Sequence, residues 1–212
     1  MHPNPAFRGQ SEEEARAFAS SRGFGVLTAA GPAGVLASHV PFLLDVDGDR
    51  AEAHLVRSTA LMRHLARAGE LPAMLIVSGP DGYVSPDWYG EPDLVPTWNY
   101  VAVHLAGRLT PAPEDGLLAH LERLSARFES GLAPKPAWTH HKMSEGAMER
   151  LMRSILPVEL RVESIESTAK LNQNRSGACR EGAAEALAEG CTPGQDTPAL
   201  AALMRAVRST EG

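Results

Sequence analysis

The spacing of apolar residues predicts a chain of short strands interrupted by a few amphipathic helices. Ser11 and Glu14 form a capping box, which predicts a helix over residues 12–20 with Ala15, Phe18 and Ala19 on one face. Strand-like runs follow over 25–30 and 35–42, separated by a Gly31-Pro32 turn. Asp47-Gly48 is a hairpin signal leading into a third strand over 50–56. Leu61, Leu65 and Ala68 recur at helical spacing and predict a helix over 58–68. A buried strand over 73–78 and a long strand over 98–109 come next. Leu117, Leu118, Leu121, Leu124 and Phe128 then mark a helix over 114–129. After a linker at 131–136, Ser144 caps a predicted helix carrying Ala147, Met148, Leu151, Met152 and Ile155. Val158, Leu160 and Val162 alternate, as in a last strand.

This gives six or seven strands with three or four helices among them. Strands and helices do not alternate strictly, which argues against a doubly wound parallel sheet. An antiparallel β-barrel with helical connections, an α+β arrangement, fits better. The pattern changes after Asn174. Residues 175–194 are rich in Ala, Gly and Glu and hold no large apolar residue except Leu187. Thr197-Pro198 opens a final helix with Leu200, Met204 and Val207 on a weak stripe. The expected organisation is a barrel domain over residues 1–174 and a tail over 175–212, either loosely docked or used at a subunit contact.

Composition narrows the function classes. The 212 residues are 43% hydrophobic, enough for a core, and carry a net charge of −6. No global field draws such a chain to nucleic acid or to an anionic membrane. No run of 18 apolar residues occurs, and MHPNPAFRGQSEEE lacks the apolar stretch of a secretory signal, so a cytoplasmic location is expected. Cys179 and Cys191 make no CxxC pair and read as incidental. The eight histidines are scattered, and adjacent His140 and His141 are expected to point apart, so no metal site is expected. The glycine loops of dinucleotide and P-loop sites are absent, as is the G-x-S-x-G nucleophile elbow.

Aromatic residues carry more information. Of three Trp and three Tyr, all but Trp138 lie between Tyr83 and Tyr100, framed by Pro86, Pro92 and Pro96. Such rings either pack a core or form a wall for a planar ligand. Polar residues gather where predicted strands end. Ser38 and His39 precede Pro41. His54, Arg57 and Ser58 lie where a strand meets a helix, a setting for phosphate or merely for a helix cap and a solvated Arg. Lys170, Gln173 and Asn174 follow the last strand, where they can meet phosphate, ribityl hydroxyls or only solvent.

The strings ASHVPF, YVSPDWY, VPTWNYVAVHLAG and KLNQN, in this order, resemble the FMN-binding negative transcriptional regulators of the PaiB type. The resemblance spans about residues 1–174. It implies a six-stranded antiparallel flavin split barrel, usually a homodimer with FMN at the interface. It also implies cofactor-binding roles for Ser38, His39, His54, Arg57, Ser58, Trp98, Asn99, Tyr100, Lys170 and Gln173. Family sequences often place Asn-Pro where this chain has Thr59-Ala60. The resemblance implies negative transcriptional regulation, yet no helix-turn-helix with a basic recognition helix is legible, so DNA binding lacks support from charge or motif. A flavin-dependent oxidoreductase and a flavin redox sensor are the competing classes. No catalytic acid or base is assigned.

Overall fold

A computed structural model of the chain describes residues 1–8, 10–45, 47–190 and 195–207. Six strands pair in the order β1-β2-β3-β6-β5-β4 and close into a barrel. They are β1 (Phe24–Gly31), β2 (Gly34–Leu44), β3 (Arg50–Val56), β4 (Leu71–Val84), β5 (Thr97–Pro111) and β6 (Ile155–Lys170). The helices are α1 (Glu12–Arg22), α2 (Ala60–Ala68), α3 (Leu117–Glu129), α4 (Ala147–Met152), α5 (Gly177–Glu189) and α6 (Thr197–Ala206). Registers place Leu27 opposite Ser38 and Leu75, Phe42 opposite Ala53, and Ala53 opposite Val158, all antiparallel. This is the antiparallel barrel expected from the number of short strands and their irregular interleaving with helices. Among the described residues, no helix is long and apolar enough to cross a membrane.

The chain divides into two compact units. One comprises residues 16–77 and 104–165 and contains β1, β2, β3 and parts of β4, β5 and β6. Its core follows strand alternation: Val40, Phe42 and Leu44 of β2 and Ala51, Ala53 and Leu55 of β3 are buried, with exposed or half-buried residues between them. Leu27, Val40, Leu75, Leu109, Val158 and Leu160 surround a void of only about 10 Å³. Among these described residues the barrel interior is filled by side chains, leaving a void too small for a ligand. Gly107 is dictated by packing, because a Cβ there would stand 1.9 Å from the Arg161 carbonyl oxygen. Outside the barrel, Leu61, Met62 and Leu65 of α2 and Leu117 and Leu124 of α3 are buried.

The other unit comprises residues 1–15, 78–103 and 166–212. The Ser11–Glu14 capping box forms as expected, with Glu14 N–H donating to Ser11 Oγ at 3.1 Å and Ser11 N–H to Glu14 Oε2 at 2.7 Å. Helices α5 and α6 of the tail each bury one face. Cys179, Ala183, Ala184 and Leu187 of α5 and Leu200, Ala201 and Met204 of α6 are all buried. Small side chains make this possible, since a Cβ on Gly182 would come 2.6 Å from the Trp88 carbonyl oxygen. Cys179 is a free, buried thiol, and Cys191 lies outside the described residues.

Three boundaries differ from the hydrophobic reading. α2 starts at Ala60, capped by Thr59 rather than by Ser58. α4 is only six residues long, with left-handed Gly146 at its N-cap in place of the expected Ser144. β6 begins at Ile155, which the periodicity had given to the preceding helix, and continues to Lys170.

Candidate functional site

The sequence-predicted residues fall into two groups, one in each unit. In the barrel unit, β3 delivers His54, Arg57 and Ser58 to the start of α2. Thr59 is extended (φ −67°, ψ 150°), and its Oγ1 accepts from Met62 N–H at 3.2 Å, fixing the helix start. Arg57 and Ser58 are exposed just before it. Arg57 Nη2 donates to Glu114 Oε2 at 3.0 Å and its Nε to the Arg153 carbonyl at 3.2 Å. A guanidinium, an exposed hydroxyl and a helix N-terminus thus occur together, the components of a phosphate site. The Arg57–Glu114 pair is solvent-exposed, so the carboxylate holds the guanidinium only weakly.

Ser38 and His39 lie on β2 beyond its pairing with β3, opposite Leu27 and Val26 of β1. Ser38 is half-buried and His39 exposed. The His39 ring stacks near Phe24, with centroids 6.3 Å apart and planes inclined by 27°.

His54 points elsewhere. Its Nδ1 is 3.3 Å from Nε2 of His120, a buried residue that the sequence reading missed. His120 Nδ1 in turn lies 3.6 Å from Glu52 Oε2, and Arg123 bonds that same oxygen. Burial, and for His54 also the neighbouring His120, holds both imidazoles below their usual range, while Glu52 pulls His120 partly back. His120 occurs at the same helical spacing as Leu117 and Leu124, so its position marked it as a core-facing residue; its partner was not legible.

In the second unit, β5 alternates as expected. Asn99 and Val101 are buried, while Trp98 and Tyr100 face outward, exposed and half-buried respectively. Trp98 Nε1 donates to Asp81 Oδ1 at 3.0 Å, and its ring meets Tyr83 edge-on at 6.4 Å. Asn99 is fully buried, with Nδ2 3.5 Å from Met204 Sδ and Oδ1 left without a hydrogen bond. Lys170 Nζ donates to the Trp98 carbonyl at 2.9 Å and to Thr97 Oγ1. Burial, followed by repulsion from Arg175, lowers its pKa. The buried Gln173 amide closes its own loop, donating to the Ala169 carbonyl at 2.6 Å and accepting from Leu171 N–H at 2.8 Å. Asn172, at φ +60°, donates to the Tyr89 hydroxyl at 3.3 Å. Within this unit, then, Lys170 at the end of β6 fastens that strand to β5, and the rings divide. Tyr89 is core, whereas Trp98 and Tyr83 form an exposed wall.

One expectation about the histidines does not hold. His140 and His141 do not point apart: they sit on a 3-10 turn (His140–Lys142) with ring centroids only 4.0 Å apart.

The comparisons agree with this architecture. Protease synthase and sporulation protein PAI 2 of Bacillus subtilis (strain 168) is 26% identical over 172 residues, covering 80% of this chain and 81% of its own. The FAD and heme binding protein from Mycobacterium smegmatis superposes with a TM-score of 0.53 at 18% identity, over 76% of this chain and 71% of its own. The flavocytochrome Anf3 from Azotobacter vinelandii does so with a TM-score of 0.54 at 17% identity, over 79% and 68%. These two share the fold. The family described as "Putative FMN-binding domain" matches residues 1–164. The chain therefore belongs to this FMN-binding family, as a split-barrel protein of the PaiB type whose cofactor is FMN.

Proposed function

We propose that this protein is an FMN-dependent redox protein that anchors its cofactor by the phosphate at the corner between β3 and α2. The observation that carries this reading is the grouping of Arg57, the exposed Ser58 and the N-terminus of α2. Arg57 supplies a fixed positive charge with two parallel donors, Ser58 a hydroxyl, and the helix start its unpaired amides. Bound FMN supplies the capacity to accept and return electrons, so the protein's work is binding, orientation and tuning. The filled barrel supports a cofactor held on the outside of the barrel, and the exposed Trp98–Tyr83 wall supports a second copy of the chain covering that face.

Two measurements test the reading. Purified protein reconstituted with FMN is mixed with NADH under stopped flow, and flavin bleaching is expected. Tight FMN binding without reduction by NADH or NADPH would remove the reductase reading and leave the sensor. Light scattering is expected to give a dimer; a stable 22.6 kDa monomer at micromolar concentration would count against the shared interface.

Negative regulation of transcription is the second reading, favoured by the similarity to PAI 2. With a net charge of −6, the chain would exert it through a protein partner or through a local basic patch. Salt-sensitive binding of the flavin-loaded protein to a specific duplex would support direct control of DNA.

A further inference from the structure

We propose that Glu122, His140 and His141 form a binding site for a divalent first-row transition metal of the zinc class. Glu122 projects from the exposed side of α3, and the 3-10 turn His140–Lys142 brings both imidazoles to it. His140 Nδ1 is 3.2 Å from Glu122 Oε1. One ligand atom from each residue can be chosen so that all three lie within 4.8 Å of one another. The two rings are 4.0 Å apart and inclined by 42°, so the imidazoles lie side by side instead of pointing apart.

The donor set matches the metal. Two neutral imidazoles and a carboxylate are the ligands of many zinc sites that keep a position open, and imidazole also suits copper, nickel and iron. Calcium and magnesium prefer all-oxygen shells and are poorly served here. Zinc bonds of about 2.0–2.2 Å in a tetrahedron place ligand atoms about 3.3 Å apart. His140–Glu122 already meets that spacing. The remaining adjustment falls to the side chains of Glu122 and His141, both of which are exposed.

The surroundings favour the site. A cavity of about 220 Å³ adjoins it, lined by Leu121, Ala126, Ala137, Trp138 and Met148 together with the three ligands. This apolar shelf lowers the local dielectric and so strengthens the attraction between ion and carboxylate. Three protein ligands leave a fourth position for water or for a small donor whose apolar part rests in the cavity. None of these residues belongs to the β3–α2 corner, so the metal site stands whether or not the flavin reading does.

The experiment uses the full-length, tag-free, flavin-loaded protein after treatment with chelator. Equilibrium dialysis against micromolar ZnCl₂ is expected to give one tightly held ion per chain. His141→Ala and Glu122→Gln should each weaken that binding by about tenfold or more. Circular dichroism and flavin content should be unchanged, because both side chains are at the surface. Co²⁺ should give an intense visible band of tetrahedral type, lost in His141→Ala. Absence of saturable binding at micromolar zinc, or the same affinity in wild type and both variants, would overturn the proposal.

Discussion

His54 and His120 share a single hydrogen-bond position: Nδ1 of one lies 3.3 Å from Nε2 of the other. Only one proton fits between them, so one ring must donate and the other accept. At neutral pH both are mainly uncharged in the folded protein, because burial lowers each from its usual value of 6.5. Protonating both would put two charges in contact, one of them on a buried ring.

The first prediction concerns pH. Below about pH 6.5 the unfolded chain takes up protons that the folded pair refuses, so stability declines as pH falls and levels off only below the folded values. Above that point the pair adds no pH dependence. Thermal melts from about pH 8 to about pH 5 should show Tm falling on the acid side. His120→Gln should flatten that decline, and an unchanged slope in this variant would assign it to other groups.

A second prediction separates FMN from riboflavin. Arg57→Ala should weaken FMN by about 1.5–3 kcal/mol, the range of a charge-assisted hydrogen bond, and riboflavin hardly at all. Glu114→Gln should leave FMN binding unchanged or tighter, since it frees the guanidinium of its competing carboxylate. Equal losses for both ligands in Arg57→Ala would place the phosphate elsewhere.

The strand pattern was legible because alternation between a filled interior and a wetter exterior is written directly in residues such as Val40, Phe42 and Leu44. Helix boundaries were less so. Thr59, a residue apart from Ser58 and equally able to cap, takes the cap of α2, and a left-handed Gly146 starts α4 late. The packing of α5 was hard to read because Ala and Gly register little hydrophobicity, yet Gly182 packs where a larger residue would strike the Trp88 carbonyl. Of the candidate site, the β3–α2 corner could be read from chain adjacency. The His54–His120 pair and the approach of Glu122 to the adjacent His140 and His141 could not, because they come about only through folding.

Two glycines test the packing argument. Gly107→Ala would drive a methyl to 1.9 Å from the Arg161 carbonyl oxygen, a backbone atom that cannot rotate away. A loss of at least about 2 kcal/mol is expected from such overpacking. Gly116→Ala meets nothing within 4 Å at φ −78° and should be neutral or stabilising by up to about 1 kcal/mol. Denaturant midpoints of the two variants give the comparison directly.

The last prediction uses the two faces of β5. Val101 is 3% exposed and its neighbours on that face, Asn99 and Val103, are completely buried. Trp98 is 44% exposed and fixed by its bond to Asp81 and its edge-on contact with Tyr83. A strand residue cannot serve both faces. Val101→Ala should therefore act as a core truncation, costing about 0.5–3 kcal/mol of stability with flavin affinity intact. Trp98→Ala removes exposed apolar area and should cost little folding stability. Its effect should appear instead as weaker self-association or weaker FMN binding, since a large ring presented to solvent contributes mainly when something covers it. Unfolding midpoints, flavin titrations and sedimentation of the two variants distinguish the faces. Loss of flavin in Val101→Ala at unchanged stability, with Trp98→Ala behaving as wild type in association and binding, would reverse the assignment.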